Sequence, residues 1–184
     1  MLIAEKKNKF TVDDYLLLGE GAPFQLINYD LIMSPSPLLA HQLILGEFYH
    51  LLKAYLKEKD DRGLVVLPPM DIRFDDGNVY QPDLIYIKAE RIAEIAKDRI
   101  EGAPDMVVEI LSPSNAYYDL RLKKDIYEKY GVTEYIIIDP IAQNADLYVL
   151  KDGVYYLHQR PGKNESLNSV LLVGFSFEIN ELFR

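Results

Sequence analysis

The spacing of apolar residues along the chain predicts the helices. Apolar positions recur every three or four residues over Leu39–Glu58, which is typical of a long helix with one buried face. A second helix over residues 119–130 ends at Gly131, because glycine readily adopts the left-handed conformation found at helix ends. Thr11, followed three residues later by an aspartate, predicts a short capped helix. Residues 91–99 are predicted to form a short polar helix.

Short apolar runs bounded by turn residues predict the strands. They are residues 24–33, which turn back near Asn28 as a hairpin, 64–74, 82–87, 106–111, Glu134–Asp139, 146–150 and 154–158. The turn at residues 75–78 predicts that 64–74 and 82–87 form one antiparallel hairpin. This order of elements predicts an α/β fold with a mixed sheet and additional antiparallel hairpins.

Size and composition predict one intracellular domain. A chain of 184 residues with no linker-like stretch is most simply one folded unit, residues 1–184. Its apolar runs are too short to cross a bilayer, and the first residues turn polar at Glu5, where a signal peptide would stay apolar. The sequence has no cysteine, which excludes disulfides, thiolate zinc sites and a cysteine nucleophile. We therefore expect a cytoplasmic protein with no membrane segment.

The net charge of −9 limits the kinds of partner. Non-specific affinity for nucleic acid comes mainly from Lys and Arg that neutralise phosphates, so a surface that attracts nucleic acid everywhere is excluded. A local basic groove is compatible with this charge. Metal-binding carboxylates without a bound cation also contribute negative charge.

Two acids on apolar strands are the main candidates for chemistry. Asp83 opens the strand that follows Pro82, and Glu109 lies in the middle of the apolar run 106–111. Carboxylates are rarely buried unless they are paired or bound to a metal. The simpler explanations are that Glu109 reaches solvent from an edge strand or pairs with an arginine, and that Asp83 belongs to a turn after proline. Two such acids in one sheet instead suggest a site for a hard cation.

Magnesium is the cation that this donor set suits best. Mg²⁺ prefers oxygen ligands and keeps several waters, so one or two carboxylates and a backbone carbonyl are sufficient. We predict Asp83 and Glu109 as metal ligands and the carbonyl of Ile110 as a third ligand, with Mg²⁺ or Mn²⁺ bound.

Only one of the adjacent residues Lys123 and Lys124 can point toward these acids from the predicted helix. Lys124 has the i, i+4 spacing of a surface pair with Glu128, whereas Lys123 aligns with Tyr127. The spacing therefore favours Lys123 as the catalytic amine. An exposed ion pair between Asp119 and Lys123 explains the same spacing equally well.

His41 lies on the apolar stripe of the long helix. A histidine there is more often a satisfied core residue than a ligand, but His41 could also assist at the edge of the site. Asp75 and Asn78 belong to a turn and lack the spacing of a calcium loop. Asp139, which precedes Pro140, is interpreted as the structural end of a strand.

Motifs along nearly the whole chain resemble one protein family, the Uma-type restriction endonuclease family of the PD-(D/E)XK nuclease superfamily. They are Leu26 and Ile27 leading to Met33, His41, Pro82 with Asp83, Val108 to Pro113, Asp119 with Lys123 and Tyr127, Gly131 to Tyr135, and Ile138 to Pro140. The resemblance implies a restriction-endonuclease-like domain with a mixed central sheet flanked by helices. It also implies that Asp83 and Glu109 are the metal-binding acids and that Lys123 supplies the active-site amine.

The chain departs from the family pattern at two places. Leu111 occupies the position where the general motif has lysine, two residues after Glu109, so the amine must come from the helix. Gln25 stands where relatives commonly have an acid. If that acid is a metal ligand, a neutral Gln25 weakens the site.

The main functional hypothesis is a Mg²⁺-dependent endonuclease that hydrolyses DNA phosphodiester bonds. The second is a catalytically inactive nucleic-acid-binding or assembly protein on the same fold, which the acidic charge and Gln25 favour. A hydrolase of another phosphate substrate is a third. Most oligomers are two-fold dimers, so a homodimer is expected.

Overall fold

The computed structural model describes residues 9–19, 21–34, 36–112 and 118–183, the last range without the side chains of residues 118–120. Its helices are α1 (Val12–Leu16), α2 (Leu39–Glu58), α3 (Ile92–Ile95) and α4 (Lys124–Tyr130). Single-turn helices at Ala89–Arg91 and Ile179–Phe183 and a wide, π-helical turn at Tyr118–Lys123 complete the helical segments of the described ranges.

The strands of the described residues form three sheets. They are β1 (Phe24–Ile27), β2 (Asp30–Met33), β3 (Leu64–Val66), β4 (Ile72–Asp75), β5 (Asn78–Tyr80), β6 (Leu84–Ile87), β7 (Ile100–Glu101), β8 (Met106–Ile110), β9 (Glu134–Asp139), β10 (Asn144–Lys151), β11 (Val154–Gln159), β12 (Ser166–Asn168) and β13 (Ser176–Glu178). The first sheet has the order β2-β1-β5-β4-β7 and the central sheet the order β11-β10-β9-β8-β6-β3. Strands β12 and β13 form a separate hairpin.

The central sheet is mixed and is covered on both faces. β8 and β9 run parallel, whereas the other neighbouring strands of this sheet are antiparallel. One face packs against α2 and the C-terminal residues 167–182, and the other packs against α4 and the first sheet. The predicted α/β fold, with a mixed sheet between helices, is confirmed.

Several predicted elements have the expected form. The long helix has the predicted bounds, and the amide of Thr11 donates to Asp14 Oδ2 at 2.8 Å, as a capping box requires. The β1–β2 hairpin turns at Asn28 and Tyr29, which both have positive φ. Two central residues at positive φ are typical of the tight turn whose twist matches that of the strands.

The predicted antiparallel hairpin between residues 64–74 and 82–87 is confirmed only for residues 64–66, which pair with residues 85–87. The first run divides into β3 and β4, which belong to different sheets, and the turn at 75–78 leads from β4 to β5. The strand that follows Asp83, β6, pairs with β3 and β8. Pro68 and Pro69 interrupt the run because proline cannot donate a hydrogen bond to a sheet. The predicted helix at 91–99 is also shorter and ends at Ile95.

A buried glutamate connects the central sheet to the C-terminal residues. Glu134 begins β9 and is fully buried. Its carboxylate accepts hydrogen bonds from the Ser169 hydroxyl and from the backbone amides of Val170 and Leu171. These three bonds hold the loop that precedes β13.

Glu134→Ala should lower the free energy of unfolding by about 3 kcal/mol, because it leaves buried donors without an acceptor. Glu94→Ala, at an exposed position of α3, should change it by less than about 0.5 kcal/mol. Urea denaturation of the two variants measures both values. Equal stabilities would show that Glu134 does not hold the loop.

Candidate active site

Strand register brings Asp83 and Glu109 together. β6 and β8 are antiparallel, with Leu84 opposite Val108. One step further along the same register, Asp83 lies opposite Glu109. Side chains of directly opposite residues point to the same face with Cβ atoms ~5 Å apart. The register therefore places the two acids on neighbouring segments, where Asp83 contacts His41 and Glu109 contacts Lys123 and Tyr127.

Asp83 is held from two sides. Its Oδ2 accepts the backbone amide of Ile110 at 2.7 Å and lies 3.1 Å from Nε2 of His41. Its side chain is 17% exposed, so the carboxylate can still be reached by solvent. The N–H and C=O of a strand residue point to the same side, so the Ile110 carbonyl lies on the side of β8 that faces β6.

Glu109 is buried and paired. Its Oε1 accepts Nζ of Lys123 and the hydroxyl of Tyr127, each at 2.8 Å. Both Glu109 and Lys123 are only 2% exposed. Lys123 is therefore not exposed, and the side chain of Asp119, its alternative partner, lies outside the described residues. β8 lies inside the sheet, so the edge-strand explanation of Glu109 is wrong.

Lys124 points away from the acids, as predicted. Its Nζ lies over the ring of Tyr148, 4.2 Å from the centroid. Glu128, the expected surface partner of Lys124, accepts the backbone amide of Tyr155 instead. The wide turn at Tyr118–Lys123 thus ends with one lysine inside and the next outside.

His41 belongs to the first turns of α2 and reaches Asp83 where β6 begins. Because a carboxylate oxygen can only accept, Nε2 carries the proton of this hydrogen bond. The other ring nitrogen, Nδ1, is buried without a hydrogen-bond partner within the described ranges. His41 is therefore not a fully satisfied core residue.

The side chains of the four predicted site residues, together with Ile110, line one cavity of about 630 Å³. Asp83, Glu109, His41 and Lys123 supply its charged or ionisable groups. The remaining lining residues are apolar or carry neutral polar groups. The structure thus gathers every predicted site residue in one pocket.

One protein-family model matches most of the chain. The family model described as "Uma2: Putative restriction endonuclease" matches residues 12–180. The chain belongs to the Uma2 family. The resemblance found in the motifs is confirmed.

A solved structure has the same fold as this Uma2 protein. It is the crystal structure of "a putative nuclease belonging to DUF820" from Anabaena variabilis, with a TM-score of 0.78 and 22% sequence identity. The match covers 95% of this chain and 97% of the other. No curated protein matches the chain. Within the described residues, no helix is both long and apolar enough to span a membrane.

The departure at Gln25 has a structural reason in this Uma2 protein. Its Nε2 donates to Oγ of Ser34, and its Oε1 accepts the backbone amide of Gln81, each at 2.9 Å. The neutral amide supplies one donor and one acceptor for these bonds, whereas an ionised glutamate would need the Ser34 hydroxyl to donate instead. Gln25 thus connects β1 to β2 and to the residues after β5 while lining the pocket.

The departure at Leu111 is compensated by the helix. The Leu111 amide donates to Ile138 on β9, and its side chain packs against the core cluster that includes Tyr127. The amine beside Glu109 comes from Lys123 instead, as the family resemblance implied.

The donor atoms of the pocket fit a hard divalent cation. Two carboxylates and the Ile110 carbonyl are all oxygen ligands, which Mg²⁺ and Mn²⁺ prefer. The described part of the chain has no cluster of three or more His, Cys, Asp or Glu side chains arranged for a metal. A cation here would take its remaining ligands from water, as Mg²⁺ commonly does.

Tyr127 is a site residue that the sequence did not identify. The sequence aligns Tyr127 with Lys123 on one helix face but does not indicate a role for the Tyr127 hydroxyl. A second donor to Glu109 could have been expected, because a buried carboxylate needs hydrogen bonds beyond one ion pair. The ring is fully buried against Phe74, Tyr80 and Tyr135.

Tyr127→Phe should lower the free energy of unfolding by about 1–2 kcal/mol, because a charged acceptor loses one donor while the ring keeps its packing. Tyr156→Phe, at an exposed position of β11, is the matched control and should have no measurable effect. Denaturation curves of both variants test this. A neutral Tyr127→Phe would mean that Lys123 alone satisfies Glu109.

Proposed function

We propose that this protein is a divalent-metal-dependent endonuclease that hydrolyses DNA phosphodiester bonds, with Mg²⁺ or Mn²⁺ as cofactor. The observation that carries the proposal is the arrangement of Asp83 opposite Glu109, with the Lys123 amine on Glu109, in one pocket. Membership in the Uma2 family and the fold shared with the "putative nuclease belonging to DUF820" support it.

The carboxylates of Asp83 and Glu109 and the Ile110 carbonyl would hold the metal. When bound, a divalent cation polarises the scissile phosphate and lowers the pKa of a bound water. Lys123, whose amine binds Glu109, would orient the attacking water or stabilise the negative charge that develops on the phosphate.

Orientation of the acids is the second task of the protein. His41 and the Ile110 amide both bind Oδ2 of Asp83, which fixes the carboxylate plane. Lys123 and Tyr127 fix Glu109 in the same way. A preorganised site of this kind loses little entropy when it binds its ligands. His41 is thus assigned the role of positioning Asp83.

The alternative function is a catalytically inactive nucleic-acid-binding or assembly protein. The pairing of each acid with a basic side chain favours it, because such pairs also occur as structural elements. However, a buried ion pair stabilises a fold little after desolvation, and this one lies at the wall of a pocket. A nuclease function would account for both the Lys123–Glu109 ion pair and its position at the pocket wall.

The proposal also includes the working form of the protein. One catalytic domain over residues 1–184, acting as a cytoplasmic homodimer, is the expected form; the family match over residues 12–180 supports the single domain. Light scattering coupled to gel filtration tests the dimer. A monomer at micromolar concentration would contradict that part alone.

A cleavage assay tests the function. Purified protein should cut plasmid or single-stranded DNA with Mg²⁺ or Mn²⁺ and should be inactive with EDTA. Since the chain is acidic overall, its binding to non-specific DNA should be weak and should fall as salt is added. Failure to cut either substrate across a broad range of metals and pH would favour the binding protein.

A further inference from the structure

Most residues that line the pocket are apolar or neutral, in contrast to Asp83, Glu109 and Lys123. One part of the wall is apolar and comes from residues before α2 and between β3 and β4, namely Pro37, Leu38, Leu67, Pro68 and Pro69. Another part carries neutral amides and hydroxyls, namely those of Gln25, Ser34, Gln42, Gln81 and Ser112. The pocket therefore offers apolar contact and neutral hydrogen-bonding groups around the acids.

Positive charge is scarce in this pocket. Among the described lining residues, Lys123 is the only Lys or Arg, and its amine is bonded to Glu109. The adjoining residues 113–117 contain neither Lys nor Arg. Duplex DNA carries one negative charge per ~1.7 Å of its axis, and proteins that grip it neutralise several phosphates. The described lining of the pocket therefore lacks the positive charge that binding a duplex backbone requires.

The depth of the site leads to the same conclusion. Glu109 and Lys123 are 2% exposed, so a phosphate that reaches them must descend below the rim. The cavity of about 630 Å³ falls in the range of sites that enclose a small molecule, ~300–1,000 Å³. A stiff duplex cannot lower one phosphate into such a space without distortion, whereas an unpaired strand can.

The wall also has the chemistry of a base-binding site. Apolar side chains pack on the faces of an extruded base, and neutral amides and hydroxyls bind its edges. Leu38 and Leu67 remain exposed at 67% and 39%, so their apolar surface is available to a ligand. Gln42 also lines the pocket and is exposed, so its amide can reach the edge of a base.

From these observations we propose that the pocket takes one unpaired nucleotide, so that the substrates are single-stranded DNA and unpaired segments within DNA. This inference rests on the proposed nuclease function for its cleavage step. The preference for an unpaired strand rests on the wall, the charge and the depth, and it can be measured without cleavage.

Binding is measured first, by fluorescence anisotropy with wild-type protein in EDTA. The probes are a labelled oligodeoxynucleotide of about 10 nucleotides and the blunt duplex of the same sequence. We expect the single strand to bind at least about tenfold more tightly. A duplex that binds as tightly as the single strand, or no binding of either probe, would overturn the inference.

Two neighbouring leucines provide a matched pair of variants. Leu38 lines the pocket, whereas Leu39 is not among its lining residues and is 76% exposed. Leu38 is also the N-cap of α2, where serine is favoured, so Leu38→Ser should keep the fold. Leu38→Ser should weaken binding of the single strand by about tenfold, or about 1.4 kcal/mol of lost apolar contact, and Leu39→Ser should leave it unchanged. Equal effects would place the nucleotide outside the pocket.

A cleavage experiment separates this inference from the proposed function. The substrate is a labelled duplex with a single-stranded extension, incubated with wild-type protein and Mn²⁺. Cuts confined to the extension support both ideas. Cuts throughout the duplex overturn the substrate preference and leave the nuclease standing. Tight single-strand binding without any cut supports the preference and contradicts the nuclease.

Discussion

Asp83→Asn and Glu109→Gln should each reduce metal-dependent DNA cleavage by about a thousandfold or more, while the fold survives. Each substitution keeps the volume of the side chain and one carbonyl oxygen. That oxygen can still accept from the Ile110 amide at residue 83, or from Lys123 and Tyr127 at residue 109. What is lost is the negative charge that attracts the cation and, at residue 109, the charge that pairs with the buried Lys123, so Glu109→Gln should also lower the free energy of unfolding. Initial rates of plasmid nicking, with circular dichroism of each variant, measure this.

The same substitutions outside the pocket are the controls for this prediction. Asp76 and Glu94 are exposed and do not line the pocket. Asp76→Asn and Glu94→Gln should therefore cut at the wild-type rate. If Asp83→Asn and Glu109→Gln also cut at that rate, these acids are not the site.

Lys123→Met should abolish cleavage, and Lys124→Met should be nearly silent. The two lysines are adjacent in sequence, but Lys123 binds Glu109 in the buried site whereas Lys124 covers Tyr148. Removing the first amine removes the group placed to act on the water or the phosphate. Rates of both variants on one substrate decide this, and equal rates would exclude Lys123 from the mechanism.

Stability must be measured alongside the activity of Lys123→Met. Lys123 and Glu109 form a buried pair, and removing one partner of such a pair costs about 3–5 kcal/mol. In the double variant Glu109→Gln with Lys123→Met, no buried charge lacks its partner, so much of this loss should be recovered. A Lys123→Met protein that stays folded under assay conditions but does not cut would show that its loss of cleavage is chemical.

The helices and hairpins could be predicted because their causes are local. The apolar stripe of α2 and the turn at Asn28 are visible in a short window of sequence. The antiparallel pairing of β3 with β6 was predicted, but the pairing of β6 with β8 and the place of β4 in another sheet were not. β8 lies about twenty residues beyond β6, and their pairing depends on burial of the whole sheet.

The acids of the site could be predicted for a physical reason. A carboxylate within an apolar strand is costly, so Glu109 required a partner, and the helix offered Lys123. The roles of Gln25 and Tyr127 could not be predicted, because each depends on atoms that only the folded chain brings near. The apolar wall at Pro68 and Pro69 could not be predicted, because prolines that interrupt a strand do not indicate which pocket they line.

The central claim is that Asp83 and Glu109 together hold a divalent cation. Anomalous X-ray diffraction from crystals soaked in Mn²⁺ tests it most directly, because the ion is located independently of the protein atoms. We predict one strong anomalous peak in contact with a carboxylate oxygen of both residues, and its absence from crystals of Asp83→Asn. Wild-type crystals at saturating Mn²⁺ with no peak between these residues, and with Lys123 and His41 still paired to the acids, would contradict the account.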